Sequence, residues 1–215
     1  MRSRFADTFN HDADAPDYDT DVSNEVDPIR AGYAALLDWT ARSARIGQQH
    51  DVLELGAGTG NLTRLLLPAR RIVAVDVSDA MLEIARGKVS GPIEWRRNDL
   101  LEFFDHRADR FDRFVSTYAI HHLLADEKAA LFQRIREAAK PGARAAFGDL
   151  MFETAHDRLN AIERYRRTLP DVAEAIEQEF FWLIDESVAE LERHGFVVST
   201  RRFSDLSWGI LATLS

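Results

Sequence analysis

The stretch DVLELGAGTGNLTRLLL, from Asp51 to Leu67, decides the fold. Its first apolar run is typical of a short buried strand, and the run after Gly56, Gly58 and Gly60 predicts a helix. A strand, a tight glycine turn and a helix bring backbone N–H groups and a helix N-terminus beside a bound ligand. An ordinary turn between a strand and a helix is the alternative when such a pattern stands alone.

Strands and helices alternate beyond this stretch. The predicted strands are RIVAVDVS, IEWRRNDL, RFDRFVSTYA and ARAAFGDLMF, and the predicted helices between them are SDAMLEIARGKV and LADEKAALFQRIREAA. Such alternation favours one α/β domain over 1–215, with a Rossmann-like, mostly parallel sheet and helices on both faces. Further helices are predicted from Pro28 to Arg45, in a cap over 152–183, and from Ile184 to His194, ending at Gly195. The last segment predicts a hairpin, so one of its strands should run antiparallel.

Composition excludes several classes of function. The chain has 215 residues, 27 basic against 36 acidic, and a net charge of −9, which argues against nucleic-acid or anionic-membrane binding. It has no cysteine, so disulfides and thiolate metal sites are excluded. The N-terminal arm, 1–27, is polar and lacks the apolar run of a secretory signal, and no stretch reaches the length of a membrane span. We therefore expect a cytoplasmic protein, a monomer or homodimer, with no nucleic-acid or membrane partner.

Acidic residues end the second and third predicted strands. Asp76 offers two carboxylate oxygens to the vicinal hydroxyls of a ribose, and Asp99 could accept the exocyclic amine of an adenine. The carboxyl ends of neighbouring parallel strands share one edge of the sheet, which is where ligands bind in open α/β folds. Together with the glycine turn, these acids predict an adenosine site. The alternative for Asp76 is a plain turn or cap residue.

Five motifs in order carry a family resemblance. VLELGAGTGNLT, VAVDVSDAML, RRNDLLEF, FDRFVSTYAIHHL and PGARAAFGD, from Val52 to Asp149, resemble those of class I S-adenosylmethionine-dependent methyltransferases. STYAIHHL, with DYD in the arm, resembles the small bacterial YrrT-like group. The resemblance implies a seven-stranded sheet with strand seven antiparallel, S-adenosylmethionine as cofactor, S-adenosylhomocysteine as product, and methyl transfer to a small-molecule acceptor.

The resemblance also implies roles by position. Glu54 would lie near the cofactor's amino group, and Met81 would cover the adenine unless it is only core. Tyr18 would act as a lid over the cofactor unless it is a surface aromatic. The full set implied to contact the cofactor is Tyr18, Glu54, Leu55, Gly56, Ala57, Gly58, Gly60, Asp76, Val77, Met81, Asp99, Leu100, Ser116, Thr117 and Tyr118.

Methyl transfer from a sulfonium needs mainly in-line positioning, and a base only if the nucleophile must lose a proton. His121 and His122 follow strand four, where an acceptor would meet the methyl group, and Asp149 ends strand five. These three are the candidate catalytic residues, with local packing or capping as the alternative. Neighbouring residues rarely ligate one ion, and no carboxylate cluster is close in sequence, so no metal site is expected.

The helical cap is the predicted acceptor region. Tyr165 could wall a pocket, and Arg166 could bind a carboxylate or phosphate. The alternatives are a core aromatic and a solvated helix face. A nicotinamide-dependent oxidoreductase is disfavoured, because the third glycine is Gly60 and no second nucleotide half follows. A non-catalytic cofactor-binding or partner protein on the same fold remains open.

Overall fold

The computed structural model describes residues 1–105 and 108–214. The first two strands are buried almost throughout, as expected of central parallel strands covered on both faces. The strands are β1 (Asp51–Leu55), β2 (Arg71–Asp76), β3 (Ile93–Arg97), β4 (Phe111–Thr117), β5 (Ala139–Phe152), β6 (Trp182–Leu183), β7 (Phe196–Arg202) and β8 (Ser207–Leu214).

Helices connect the strands and surround the sheet. They are α1 (Tyr18–Val22), α2 (Tyr33–Ala44), α3 (Asp79–Lys88), α4 (Ala125–Ala138), α5 (Ala155–Thr168), α6 (Pro170–Gln178) and α7 (Ile184–Arg193). Ser78 caps α3 by accepting the Met81 N–H at 3.0 Å, and Gly195 follows α7 with a φ of 85°. None of the helices in the described part of the chain is long and apolar enough to cross a membrane.

The strand order β3-β2-β1-β4-β5-β8-β7 confirms the predicted fold. Strands β1 to β5 pair in parallel, whereas β8 lies antiparallel between β5 and β7. The predicted antiparallel seventh strand is therefore β8, because the two-residue β6 pairs with the end of β5 off the main path. The chain changes direction across the sheet between β1 and β4, which is where open α/β sheets place their ligand crevice.

Two helix predictions are corrected by the structure. The run after the glycine turn is a single 3-10 turn, Thr63–Leu65, because Pro68 cannot continue a helix and disfavours helical backbone before it. The helix predicted from Pro28 begins only at Tyr33, since Gly32 has a left-handed φ of 81°. Glycine suits Gly32 because a Cβ there would lie 3.1 Å from the Cβ of Phe203.

Both faces of the sheet carry apolar layers. Helix α2 packs on β4, β5 and β8, and α4 contacts α7 on the other side. The apolar layer on the face that carries α4 and α7 is centred on the rings of Phe132, Phe147 and Trp182, whose centroids lie 5.6 to 6.2 Å apart. This arrangement leaves the carboxyl ends of the parallel strands free of core helices.

A glycine pair lets α2 lie close to the sheet. Gly148 and Gly209 are paired across β5 and β8 beneath α2. A Cβ on Gly148 would lie 2.7 Å from Leu36 and Thr40, and one on Gly209 would lie 2.3 Å from the Trp39 ring. The absence of side chains at these two positions therefore sets the distance between helix and sheet.

Gly209→Ala should lower the free energy of unfolding by about 1–3 kcal/mol, because the new methyl group forces Trp39 or α2 to move. Gly87→Ala is the matched control, since Gly87 lies in α3 with nothing within 4 Å of an added Cβ. That control should be neutral or stabilising by up to about 1 kcal/mol. Chemical denaturation measures both, and equal stability of the two variants would contradict the packing argument.

Candidate functional site

The glycine turn after β1 has left-handed backbone at all three glycines. Gly56, Gly58 and Gly60 have φ values of 74°, 51° and 82°. A Cβ on Gly56 would lie 2.2 Å from the Cβ of Ala119, which follows β4. The turn is also tied to β2, because the N–H groups of Gly56 and Ala57 donate to the Val75 carbonyl at 2.8 and 2.9 Å. Only glycine meets both demands at position 56.

A cavity lies beside this turn at the carboxyl ends of the strands. It encloses about 820 Å³ outside the protein atoms, part of it open to solvent. Most of the residues implied to contact the cofactor line it: Tyr18, Gly56, Ala57, Gly58, Asp76, Val77, Met81, Asp99, Leu100, Thr117 and Tyr118. The fold therefore brings together residues from the arm, the glycine turn and the ends of β2, β3 and β4.

Four residues of the implied set lie behind the cavity. Leu55 and Ser116 are buried, and the Ser116 hydroxyl donates to the Leu55 carbonyl at 2.7 Å, which ties β4 to β1. A Cβ on Gly60 would lie 3.1 and 3.2 Å from side-chain atoms of Val89 and Ala85, so Gly60 lets α3 approach the turn. Glu54 is the fourth.

Glu54 is fully buried beneath the glycine turn. One carboxyl oxygen accepts the Thr63 hydroxyl at 2.7 Å, and the other has no hydrogen-bond partner among the described residues. Burial raises its pKa to about 8, with a smaller contribution in the same direction from the charge of Asp76. In the protein without ligand, Glu54 is therefore largely protonated at neutral pH.

Asp76 joins two parts of the site. Its carboxylate accepts the Gly58 N–H at 2.7 Å and the Ser78 N–H at 2.9 Å, which links the glycine turn to the start of α3. Burial raises its pKa, and these backbone donors oppose that rise. Asp76 thus has the turn role considered as the alternative, and it also lines the cavity.

Asp99 is engaged by the N-terminal arm. Its carboxylate accepts the N–H of Ser3 at 3.1 Å and the Ser3 hydroxyl, as well as the N–H groups of Leu101 and Glu102, each at 3.0 Å. Ser3 is itself buried. The arm therefore occupies the carboxylate that the sequence assigned to an adenine.

The arm closes over the cavity as a roof. Phe5 and Phe9 line it, with the Phe9 ring stacked on His122 at 4.3 Å between centroids. Asp12 accepts the Ser78 hydroxyl at 2.5 Å. Sequence reasoning missed these contacts, although the spacing of Phe5 and Phe9 is the helical spacing of an apolar pair. Other lining residues that it missed are Ala6, Asn10, His11, Tyr33, Thr59, Asn61, Leu62, Ala119 and Leu123.

Asp19, in α1 beside Tyr18, anchors the inner end of the arm. Its carboxylate accepts the Thr59 hydroxyl at 2.6 Å and the Asn61 amide at 2.9 Å, and pairs with Lys88. Tyr18 lines the cavity and is half-buried, and burial raises its pKa. The arm is therefore attached to the glycine turn at one end and to the end of β3 at the other.

Two further lining residues have structural partners as well. Tyr118 has a positive φ of 50°, and its hydroxyl bonds to the Ser207 hydroxyl at 2.7 Å and the Ile29 carbonyl at 3.1 Å. Met81 is 3% exposed and lines the cavity, so it is both a core residue and a wall residue.

The three candidate catalytic residues adjoin one another. His121 and His122 form a 3-10 turn with Ile120 after β4, and Nδ1 of His121 lies 2.5 Å from the Asp149 carboxylate. Asp149 also accepts the N–H groups of Ile120 and His121 at 3.0 and 3.1 Å, and the Trp182 indole N–H at 3.2 Å. Only His122 of the three lines the cavity, and burial lowers its pKa well below the usual value.

The predicted acceptor residues lie away from this cavity. Tyr165 is buried within the apolar layer beneath α5, with the Arg164 guanidinium 4.8 Å from its ring centroid. Arg166 is exposed and pairs with Glu177 of α6. Both positions agree with the alternatives weighed for them, a core aromatic and a solvated helix face. Their roles in binding an acceptor stay predictions.

Comparisons with known proteins agree with this geometry. A family model described as a methyltransferase domain matches residues 52–142. An uncharacterized methyltransferase of Oceanobacillus iheyensis is 34% identical over 203 residues, which is 92% of each chain. One of Geobacillus kaustophilus is 32% identical over 213 residues, covering 97% of this chain and 96% of its own.

A solved structure supports the fold over nearly the whole length. The complex of DhpI with SAM and HEP is 24% identical to this chain and covers 96% of it, with 95% of DhpI matched. The TM-score of the superposition is 0.71. The match therefore extends well beyond residues 52–142, which the family model covers.

Glu54→Gln should flatten the pH dependence of stability. The folded state holds a proton on Glu54 up to about pH 8, whereas the unfolded chain releases it near its ordinary pKa of about 4.3. Stability therefore falls as pH rises between these values, and the variant lacks this loss. Thermal melts from about pH 5 to 8 measure it, with Glu83→Gln on the exposed face of α3 as control. Parallel profiles for Glu54→Gln and the native protein would contradict the assignment.

Proposed function

The chain belongs to the class I S-adenosylmethionine-dependent methyltransferases, and we propose that its acceptor is a small molecule bound beneath the N-terminal arm. The cofactor is S-adenosylmethionine, and S-adenosylhomocysteine is the product. One observation carries the proposal on the acceptor: the arm roofs the cavity, with Phe5, Phe9 and Tyr18 in its lining. A flexible surface segment of a macromolecule would have to displace this roof.

Contacts at both ends of the arm support an enclosed site. Near the start of the arm the N–H of Arg4 donates to Glu127 at 2.8 Å, and near its inner end Asp19 bonds to Thr59 in the glycine turn. The Phe5 ring lies 5.2 Å from Phe180, beyond α6, so the arm also contacts the cap. The net charge of −9 further disfavours a nucleic-acid acceptor.

The lining supports a definite orientation for the cofactor. In this proposal Asp76 binds the ribose and Asp99 the adenine amine, with Met81 against the ring and the glycine turn around the methionyl part. The buried Glu54 then lies nearest the amino group, and an ammonium there would favour its ionised form. The sulfonium would face Thr117 and Tyr118 at the end of β4, next to His122.

The reaction is an in-line displacement at the methyl carbon. When bound, the cofactor would supply an activated methyl group: the acceptor's lone pair would form the new bond as the S–CH₃ bond breaks, and sulfur would keep the electron pair as a neutral thioether. Alignment of the two reactants supplies much of the barrier reduction. His122 is the histidine that would touch the acceptor, and it does so as a neutral imidazole because burial lowers its pKa. The His121 ring lies 4.0 Å from the His122 ring between centroids, and Asp149 orients His121.

A complex of the structural neighbour DhpI supports a cavity that holds the cofactor and an acceptor at the same time. DhpI has been captured with SAM and HEP together. In this chain the corresponding space would lie between the end of β4, the arm and the residues after α6. Phe9 and Phe180 are the aromatic residues that border it from the arm and the cap.

Incubation with S-adenosylmethionine labelled in its methyl group, followed by size fractionation of a bacterial extract, tests the acceptor class. Label should appear in the low-mass fraction. Label confined to the protein or nucleic-acid fraction would contradict the small-molecule proposal. Cofactor binding by calorimetry without transfer to any fraction would favour the non-catalytic alternative.

Asp76→Asn should weaken S-adenosylmethionine binding by about 1–3 kcal/mol, because an amide satisfies the ribose hydroxyls and the two backbone donors less well than a carboxylate. Asp79→Asn is the matched control, since Asp79 is exposed in the next turn and pairs with Arg97 on the surface. Isothermal titration gives both affinities, and circular dichroism checks the fold. Unchanged affinity in a folded Asp76→Asn variant would limit Asp76 to its turn role.

A further inference from the structure

A cluster of ligating side chains lies at the edge of the cavity. His121 and His122, consecutive in the turn after β4, meet Glu179, which follows α6. One ligand atom from each of the three lies within 4.8 Å of the others. His121 is 3% exposed, and the Glu179 side chain is 25% exposed. The sequence alone gave no reason to join Glu179 to the histidines, because the cap separates them along the chain.

The hydrogen bonds of His121 determine which of its nitrogens is free. Nδ1 lies 2.5 Å from the Asp149 carboxylate, which can only accept, so Nδ1 carries the proton in a neutral ring. Nε2 then presents a lone pair, and the nearest oxygen of Glu179 lies 3.3 Å from it. Asp149 fixes this tautomer in the way that carboxylates orient metal-binding histidines.

A second chain of contacts determines the tautomer of His122. Nδ1 of His11 lies 3.1 Å from the Asp14 carboxylate, so it is the proton-bearing nitrogen of that ring when neutral. With His11 neutral, its Nε2 accepts, and Nε2 of His122, 3.2 Å away, is the donor. Nδ1 of His122 is left with a lone pair. It is buried and has no hydrogen-bond partner in the described part of the chain.

Nε2 of His121 and the carboxylate of Glu179 are thus two facing acceptors, and His122 places one ring nitrogen within 4.8 Å of both. Nδ1 of His122 is the nitrogen left free for this role, since it has no hydrogen-bond partner among the described residues. Lone pairs that face one another away from water are unfavourable unless a cation lies between them. The ammonium of Lys128 donates to the carbonyls of Leu123 and Phe180, and it makes no hydrogen bond to these three side chains in the part of the chain that the structure describes.

We propose that His121, His122 and Glu179 bind a divalent transition-metal ion. Two imidazoles and one carboxylate suit Zn²⁺, Fe²⁺ or Co²⁺ and leave coordination positions open. Metal–nitrogen bonds of about 2.0–2.1 Å would place the ligand atoms roughly 3.4 Å apart. Nε2 of His121 and the Glu179 oxygen are already 3.3 Å apart, so the adjustment is needed in the distances to His122. The alternative occupant is a single proton, shared between His121 and Glu179.

The position of the ion gives it a role in methyl transfer. Because His122 lines the cavity, an open coordination position would face the acceptor and favour one with an oxygen donor. Coordination lowers the pKa of a hydroxyl, so the acceptor would release its proton to water and present an oxyanion to the methyl carbon. This role rests on the proposed function, whereas binding of the ion does not.

Titration of the chelator-treated, full-length protein with Co²⁺ tests the site. Visible absorption of bound Co²⁺ should saturate at one equivalent. Glu179→Gln should weaken binding about 100-fold, and Asp149→Asn, which loses the orientation of His121, about 10- to 100-fold. Glu177→Gln is the control with the same change of charge, since Glu177 pairs with the exposed Arg166, and it should bind as the native protein does.

Two results of the Co²⁺ titration would overturn the proposal, and an NMR result would do so independently. One is a folded native protein that develops no Co²⁺ absorption, and the other is equal Co²⁺ affinity in the native protein and Glu179→Gln. Nitrogen NMR of the His121 ring separates the proton alternative: both nitrogens protonated at neutral pH, and unchanged by Zn²⁺, would assign the cluster to a shared proton. These readouts do not depend on methyl transfer, so the metal site and the proposed acceptor class fail or succeed separately.

Discussion

The lack of space between the ends of β1 and β4 is the constraint on which the site depends. Ala119 leaves no room for a side chain on Gly56, so the chain after β1 must turn away with left-handed backbone. That turn points its later N–H groups toward the ends of the neighbouring strands, where the carboxylate of Asp76 accepts one of them and the N–H of Ser78 as well. The cavity is the space that this turn, α3 and the end of β4 leave between them.

The part of the site formed by the glycine turn and the strand ends could be predicted, because each of its motifs lies within a few consecutive residues. Buried strands, a glycine turn and an acid at a strand end each occupy a few consecutive residues, and Asp76 and Asp99 lie where their strands predicted. The helix expected after the turn was wrong for one tertiary and one local reason. Thr63 is held by the buried Glu54, and Pro68 ends the segment before a second helical turn can form.

The part of the site formed by the N-terminal arm and the cap depends on contacts between residues that are distant in sequence. No local pattern joins Ser3 to Asp99, or Glu179 to His121, because these pairs meet only after the arm and the cap fold back over the sheet. Composition suggested a loose, acidic arm, yet Phe5, Phe9 and Tyr18 of the arm line the cavity. The sequence around Tyr165 could not distinguish a residue that lines a pocket from one that packs in the core. In the structure Tyr165 is buried in the apolar layer.

The bond between Ser3 and Asp99 holds the carboxylate that we propose for the adenine amine. Where Asp99 binds the adenine amine, as proposed, only molecules with a released arm can bind cofactor, and the measured affinity is the intrinsic affinity multiplied by that fraction. The same competition acts on the spent cofactor, since Ser3 can refill the subsite as soon as the adenine leaves it. The arm would then weaken cofactor binding and, in return, speed the release of S-adenosylhomocysteine after each turnover.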